Sequence, residues 1–321
     1  SYSPILPRVR NVGGGLGGGL GPVLGPVLGP VLPLVDEMSR ENTGLDPNEL
    51  EPADDSLRVR RLFGELFDER QPRICASQQR AMGGEPPAGY VYRVLPCIVK
   101  TGDPLLQEQF AIQLVRLFQD VFDGARLPLR LHAYAVVATS PTGGLVQLVT
   151  NSNSIDSLKR NNPTSTLSDL FATLYGHPTS REHRRAIRNF CHSCAAWAVV
   201  CYFLNIKDRH NGNILLHANG HIVHIDFGFL LTNSPGGNLN FESAPFKLTS
   251  EYVQLMGGAR SATFLRFRDI VLKGCLAARK HAAKIIAIAQ LTLEGAGRDM
   301  PCFVGGERAI EALRGRFHLE L

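Results

Sequence analysis

The segment Asp208-Arg-His-Asn-Gly-Asn213, followed thirteen residues later by Asp226-Phe-Gly228, determines the fold and the chemistry that we predict for this chain. Between the two motifs the sequence predicts two short apolar strands joined around Asn219-Gly220, because Asn-Gly is a strong signal for a tight β-hairpin. Such a hairpin brings the segments that carry Asn213 and Asp226 side by side. We therefore expect these two side chains to reach one metal ion.

The residue types in these motifs suit the metal-assisted transfer of a phosphoryl group from ATP. Mg²⁺ prefers hard oxygen ligands, which Asn213 and Asp226 can supply. Asp208 or His210 can orient and deprotonate the attacking hydroxyl, and the spacing does not choose between them. Asp208 and Asn213 are five residues apart, as are the catalytic Asp and the metal-binding Asn of kinase catalytic loops. Here the histidine follows the aspartate instead of preceding it, which indicates a different kind of kinase from the typical protein kinases.

The composition is that of a globular protein, with 44% apolar and 20% charged residues in a chain of 321. This length is enough for one large or two moderate domains. The net charge of +5 permits attraction to an acidic membrane surface, whereas nucleic-acid binding would need a denser basic patch, so we expect no nucleic-acid partner. No apolar run in the sequence is long enough to span a membrane.

Seven cysteines, an odd number scattered through apolar segments, favour a reducing cytosolic environment. The pair in Cys191-His-Ser-Cys194 has the spacing of half a zinc site, but no second pair completes one. The pair lies within Arg184–Leu204, where apolar residues recur at helical spacing. We therefore predict that both cysteines belong to the buried face of a helix.

Residues 1–56 differ from the rest of the chain. A glycine-rich run is followed by three Gly-Pro-Val-Leu repeats and an acidic stretch. Proline at every fourth residue excludes a helix, and recurrent glycine disfavours a packed strand. We predict a disordered or extended arm here, followed by an amphipathic helix over Leu57–Arg70.

Residues 57–150 are predicted to form a small sheet with one long helix. The expected strands are Tyr90–Lys100, Leu131–Ala138 and Gly144–Thr150, the expected helix is Leu105–Phe122, and a glycine- and proline-rich turn at 83–89 precedes the first strand. That turn can fold over phosphates through its backbone N–H groups. Lys100 ends a strand and Glu108 lies early in the helix, which is the lysine–acid arrangement of a kinase amino-terminal lobe. The backbone of Val149 is a candidate for adenine binding.

Residues 151–321 are predicted to be mainly helical, after a polar crossing at Asn151–Asn162. The capping box Thr179-Ser-Arg-Glu182 opens the first long helix. The first expected helix runs from that box to Leu204. A second is expected over Thr249–Met256, and two or more further helices are expected within Ala262–Leu293. The predicted fold class is α+β, a two-lobed, protein-kinase-like fold. It has a small antiparallel sheet in the lobe over 57–150 and a larger, mainly helical lobe over 151–321.

From about Tyr90 onward the chain resembles the kinase domain of the phosphatidylinositol 4-kinases, type III beta. The shared strings are CIVKTGD at 97–103, VCYFLNIKDRHNGNILL at 200–216, GHIVHIDFGFLL at 220–231 and FKLTSEYVQLMGG at 246–258. DRHxxN with DFG is shared by the whole phosphoinositide 3-/4-kinase superfamily, whereas the FKLT and VQLMGG segments narrow the resemblance to the 4-kinases.

The resemblance implies a lipid kinase that moves the γ-phosphate of ATP to the 4-hydroxyl of phosphatidylinositol, with Mg²⁺, or alternatively Mn²⁺, as the metal. The roles that it implies are ATP-phosphate contact for Lys100, positioning of that lysine for Glu108, catalytic-loop chemistry for Asp208 and His210, Mg²⁺ binding for Asn213 and Asp226, and proximity to the lipid headgroup for Lys247. It also implies a cytoplasmic protein, peripheral on Golgi-type membranes. Its expected partners are membrane phosphatidylinositol and, through regions outside this chain, small GTPases or adaptor proteins.

The stretch from Phe227 to Phe246 favours the same substrate on independent grounds. It contains no lysine or arginine, and only Lys247 closes it. A headgroup that already carries further phosphates would need several cations to compensate its charge. One lysine suits the single phosphodiester of phosphatidylinositol.

Two alternatives stay open at the level of sequence. One is a Ser/Thr protein kinase of a related branch, against which the absence of an A-P-E motif and the order of DRH count. The other is a non-catalytic scaffold that binds membrane partners through the Gly-Pro arm, against which the complete set of metal and phosphate residues counts. The chain departs from the family pattern at Pro104 and Leu106, which replace an acid and an arginine, and we expect the last C-terminal helix of the family to be truncated.

Overall fold

The computed structural model of the chain describes residues 55–81, 83–84, 94–234, 242–295, 297 and 300–319. Nearly all of the predicted arm, most of the turn at 83–89 and the start of the strand predicted from Tyr90 lie outside these residues. All described residues belong to one unit, Pro52–Leu321, so the boundary predicted between residues 150 and 151 stays a prediction. In the described part of the chain, no helix is both long enough and apolar enough to cross a membrane.

Two helices, a three-stranded sheet and one long helix form the first part of the described chain. The elements are α1 (Asp55–Phe63), α2 (Phe67–Ala81), β1 (Cys97–Thr101), α3 (Leu106–Gly124), β2 (Val136–Ser140) and β3 (Gly143–Gln147). The sheet is antiparallel, in the order β1-β3-β2. Helix α3 contacts β2, and its apolar stripe, including Phe110, Leu114 and Phe118, is fully buried. The helix predicted over residues 105–122 and its buried face are thus confirmed.

The second part of the described chain is mainly helical and has one small sheet. Its elements are β4 (Ser152–Ser154), α4 (Ile155–Asn161), α5 (Leu167–Tyr175), α6 (Arg181–Leu204), β5 (Ile214–His217), β6 (Ile222–His224), α7 (Ser250–Leu255), α8 (Ala262–Lys280), α9 (Ala282–Glu294) and α10 (Glu307–Arg316). The sheet is antiparallel, in the order β4-β5-β6. The two-lobed α+β fold class is confirmed.

The β5–β6 hairpin forms where Asn219-Gly220 predicts it. Gly220 has a φ of +94°, and its backbone N–H donates to the carbonyl of His217 at 2.8 Å. A Cβ at this position would lie 2.7 Å from the carbonyl oxygen of Ala186 in helix α6. Glycine alone combines the positive φ with this close approach. Gly220 therefore allows both the turn and its packing on α6.

The cap of helix α6 lies one residue after the predicted cap, Thr179. Its N-cap is Ser180, whose hydroxyl accepts a hydrogen bond from the backbone N–H of His183, so the capping box assigned to Thr179 is wrong. A capping box needs the acid three residues after the cap, and Glu182 is only two residues after Ser180. The helix ends at Leu204, as predicted.

The single helix predicted over Leu57–Arg70 is also wrong, because two helices meet there. Gly64 has a φ of +71°, and its N–H donates to the carbonyl of Arg60 at 2.9 Å. A positive φ ends a helix, and glycine adopts it at the lowest cost. The chain therefore changes direction before α2 begins at Phe67.

The predicted polar crossing, Asn151–Asn162, has regular structure. It contains β4 and α4, and the hydroxyl of Ser154 caps α4 by accepting from the N–H of Ser157. Because β4 pairs with β5, the crossing is attached to the hairpin that carries the sequence motifs.

The cysteines of helix α6 lie in the core, as predicted. Cys191 and Cys194 are both buried, and burial raises the pKa of Cys191 to about 11 and raises that of Cys194 further. Metal ions bind the thiolate, so these thiols are unsuited as ligands. Within the described ranges, no group of three or more His, Cys, Asp or Glu residues is placed to hold a metal ion.

Three half-buried histidines with basic neighbours lie near one another, on the segment before β2, on α6 and after the hairpin turn. Burial is the main cause that lowers the pKa of His132 and His192 to about 4 and that of His221 to about 3. Repulsion from His217 acts on His132 and His221, and repulsion from Arg266 acts on His192, which further disfavours the charged forms. The folded protein therefore holds these rings neutral.

We expect the free energy of unfolding to fall as the pH drops from about 6.5 to about 4. Over this range the unfolded chain takes up protons that the folded rings do not bind, which favours unfolding by at most about 1.4 kcal/mol per pH unit for each histidine, and by less for the more accessible His192. Urea titrations at several pH values measure this slope. His221→Gln should make the slope shallower, and a slope that this variant leaves unchanged would contradict the assignment.

Candidate active site

Asn213 and Asp226 lie at the two open ends of the β5–β6 hairpin. The backbone N–H of Ile225 donates to the carbonyl of Asn213 at 3.1 Å, which extends the pairing of the hairpin by one step. The structure therefore brings the two segments side by side, as the hairpin signal predicts.

Asp208 and Asp226 both have left-handed backbone conformations. Their φ angles are +62° and +61°, values that are uncommon outside glycine and that short polar residues such as aspartate tolerate best. Strained backbone of this kind concentrates at functional sites, because the surrounding contacts must hold it in place. Both are carboxylates that the sequence motifs single out, and five other described non-glycine residues, among them Asn205 and Leu231, also have a positive φ.

Arg209 supplies those contacts. It is 4% exposed, and its guanidinium donates to the carbonyls of Lys207 at 2.9 Å, Ile225 at 2.8 Å and Asp226 at 2.5 Å. The guanidinium also lies 5.5 Å from the centroid of the Phe227 ring. Burial lowers the pKa of Arg209, and the cost of burying its charge is offset by these hydrogen bonds. Arg209 has no role predicted from the sequence, although it lies inside the motif.

His210 is held so that its Nε2 faces Asp208. Its Nδ1 accepts a hydrogen bond from the N–H of Gly212 at 3.0 Å, and its Nε2 lies 4.0 Å from Oδ2 of Asp208. A neutral imidazole whose Nδ1 accepts carries its proton on Nε2. This arrangement favours Asp208 over His210 as the group with lone pairs available to accept a proton.

The donor atoms of Asn213 and Asp226 fit a magnesium ion. The carboxamide nitrogen of Asn213 donates to the backbone carbonyl of Asp208 at 3.1 Å, which leaves the carboxamide oxygen as its free acceptor. A carboxylate and a carboxamide oxygen are hard ligands, and Mg²⁺ is usually held by one or two protein groups together with phosphates and water. The residues present therefore suit a metal that binds with a nucleotide.

The Lys100–Glu108 pair forms as predicted and has a third member. The Nζ of Lys100 lies 3.5 Å from one carboxylate oxygen of Glu108, and the hydroxyl of Tyr134 donates to the other at 2.8 Å. Burial raises the pKa of Tyr134, the negative charge of Glu108 raises it further, and a backbone hydrogen bond with Asp226 acts in the opposite direction. Tyr134 thus links the lysine–acid pair to the segment of Asp226. No sequence pattern marks Tyr134 as a site residue, since it lies in a stretch predicted simply as a strand.

Lys247 lies against the catalytic loop. Its Nζ donates to the carbonyl of Arg209 at 2.9 Å and to the side-chain oxygen of Asn211 at 2.8 Å, and burial lowers its pKa. Val149 is buried after β3, and its carbonyl accepts from the hydroxyl of Ser152 at 2.7 Å. The structure thus places Lys247 at the motif, whereas the adenine contact of Val149 stays a prediction.

Replacing Arg209 with methionine should lower the free energy of unfolding by roughly 3 kcal/mol, because three backbone carbonyls would lose their donor and each unsatisfied buried group costs about 1–3 kcal/mol. Urea unfolding measures the change. Arg188→Met, at an exposed position of α6, is the matched control and should shift stability by less than about 0.5 kcal/mol. Equal losses in both variants would show that the guanidinium does not hold the two loops together.

Comparison with known proteins agrees with this geometry. The family model described as phosphatidylinositol 3- and 4-kinase matches residues 95–303. The chain is 44% identical over 260 residues to a phosphatidylinositol 4-kinase of Dictyostelium discoideum, covering 81% of the chain and 21% of that relative. It is 44% identical over 265 residues to phosphatidylinositol 4-kinase beta 1 of Arabidopsis thaliana, covering 81% and 23%. It is 42% identical over 230 residues to phosphatidylinositol 4-kinase beta of Xenopus tropicalis, covering 72% and 28%.

The chain thus spans between a fifth and a third of the length of these relatives. The family match covers the strand with Lys100, the catalytic loop and the segment with Asp226. On this evidence the chain belongs to the phosphatidylinositol 3- and 4-kinase family.

Proposed function

We propose that this chain carries the catalytic part of a lipid kinase that transfers the γ-phosphate of ATP to the 4-hydroxyl of phosphatidylinositol and yields phosphatidylinositol 4-phosphate. The supporting observation is the convergence of Asp208, Asn213 and Asp226 with the Lys100–Glu108 pair, which Tyr134 links to Asp226. The names of the relatives, all phosphatidylinositol 4-kinases, support the choice of acceptor and hydroxyl.

In this proposal each group of the site has a separate task. Lys100, held by Glu108, binds the phosphates of ATP, and the backbone near Val149 binds adenine. Asp208 accepts the proton of the attacking hydroxyl, while His210 keeps its Nε2 proton on the side of that carboxylate. A Mg²⁺ ion held by Asn213 and Asp226 would supply positive charge that neutralises the transferred phosphoryl group.

The lipid headgroup would lie next to Lys247. This lysine contacts the catalytic loop through Asn211, so an anion bound by it would lie beside Asp208. The stretch before it has no other lysine or arginine between Phe227 and Phe246. A single cation suits an acceptor with one phosphodiester and disfavours more highly phosphorylated lipids.

The same proposal places the kinase in the cytoplasm, peripheral on Golgi-type membranes. The modest net charge of +5 supports attraction to an acidic membrane surface. Small GTPases or adaptor proteins are the proposed partners, through regions outside this chain.

The first test is product formation from ATP and phosphatidylinositol vesicles by the wild type and by Asp208→Asn, with the position of the new phosphate identified. We expect phosphatidylinositol 4-phosphate from the wild type and at least about a 100-fold lower rate from the variant, because asparagine keeps the left-handed backbone but is not a base. A peptide acceptor serves as the comparison. Phosphorylated peptide without lipid product would favour a protein kinase, and no product at all from the wild type would contradict the proposal.

Asp226→Asn should lower turnover by about 100- to 1,000-fold without unfolding the chain, since it removes the charge next to the metal but keeps the shape of the side chain. Turnover at increasing Mg²⁺ concentration and a thermal melt measure the two effects. Asp269→Asn, at an exposed position of α8, is the control and should behave like the wild type. Normal turnover of Asp226→Asn would remove this carboxylate from the mechanism.

A further inference from the structure

Gln107, next to Glu108 in the first turn of α3, binds three backbone groups that lie far from it in the sequence. It is 6% exposed, and its Nε2 donates to the carbonyls of Phe227 at 2.9 Å and Gly228 at 2.6 Å. Its Oε1 accepts from the N–H of Cys302 at 2.8 Å. One buried side chain therefore joins helix α3, the segment after Asp226 and a segment near the end of the chain.

The segment Pro301–Phe303 is itself fixed on both sides. The hydroxyl of Thr232 donates to the carbonyl of Cys302 at 3.0 Å, so Cys302 contacts Gln107 through its N–H and the chain after the DFG motif through its carbonyl. The ring of Phe303 lies 5.3 Å from that of Phe110, one turn along α3. The contact between α3 and Pro301–Phe303 thus combines the hydrogen bond of Gln107 with the packing of two aromatic rings.

The three hydrogen bonds require a carboxamide. Glutamine offers two donor hydrogens and an acceptor oxygen on one planar group, whereas glutamate lacks the donors and methionine lacks both donors and acceptor. A carbonyl that loses its donor away from water is destabilised, and the two carbonyls here belong to the two residues that directly follow Asp226. This position therefore requires a side chain that both donates and accepts hydrogen bonds.

Its neighbour gives this contact a consequence for the site. Glu108 holds Lys100 from the same turn of α3, and Tyr134 also joins Glu108 to Asp226. With Gln107 bound to Phe227 and Gly228, the lysine and the metal-binding carboxylate are tied together by two separate links.

We propose that Gln107 is a positioning residue that fixes the backbone after Asp226 against helix α3 and so keeps Asp226 in register with Lys100. The inference deepens the proposed kinase function and rests on it for the effect on turnover. The effect of Gln107 on the backbone after Asp226 does not depend on the proposed kinase function, because it can be measured without catalysis.

The experiment compares Gln107→Glu and Gln107→Met with Gln109→Met in the full chain. Gln109 is a matched control, because it lies on the same helix and its Oε1 accepts from a backbone N–H, that of Ala138 at 2.9 Å, away from the DFG motif. Gln107→Glu keeps the acceptor for Cys302, loses the donors to Phe227 and Gly228 and adds a negative charge against their carbonyls, whereas Gln107→Met removes the donors without adding charge. The readouts are hydrogen exchange of the backbone over 225–232, kcat, and the KM for phosphatidylinositol.

We expect both Gln107 variants to exchange faster over residues 225–232 and to lose roughly 10- to 100-fold in kcat with little change in the KM for lipid, since a displacement of about 1 Å is enough for such a loss. Gln109→Met should change neither. Exchange and kcat in Gln107→Glu that equal those of the wild type, or equal losses in Gln109→Met, would overturn the inference. A wild type without lipid kinase activity, but with faster exchange in the Gln107 variants, would instead contradict the proposed function and leave the positioning role standing.

Discussion

The buried guanidinium of Arg209 is the interaction on which the site depends. Two loops that carry left-handed aspartates cannot pair their own backbones regularly, so their carbonyls need another donor. Arg209 supplies donors to both loops from one rigid, planar group. Because the charge is buried, each of these bonds matters more than it would at the surface, and the geometry of Asp208 and Asp226 follows from it.

From this centre the contacts extend to the other lobe. Tyr134 and Gln107 both connect the turn of α3 that holds Glu108 to the segment of Asp226. One link uses a phenol and the other a carboxamide, and both are buried. A nucleotide between Lys100 and Asp226 would meet groups whose separation is already set, which is the preorganisation that phosphoryl transfer needs.

Local patterns predicted much of the fold, and their failures have local causes. The hairpin at Asn219-Gly220 and the long helices were predictable because turn chemistry and helical periodicity act over a few residues. The division of the first helix at Gly64 was missed because its flanks are both helix-favouring, and only the positive φ ends the helix. The cap of α6 was misplaced by one residue because Thr179 and Ser180 are both good caps.

The sequence by itself determined which polar groups converge at the candidate site. The spacing of Asp208, Asn213 and Asp226 around a short turn is a local property, and a hairpin converts it directly into proximity. Only the tertiary structure decided what holds that constellation in place. Gln107 and Cys302 are 195 residues apart, and Tyr134 lies far from both motifs, so no spacing or periodicity connects them. Their pairing arises when apolar faces pack and bury polar groups that must then find partners, and that requirement can be satisfied only in the folded chain.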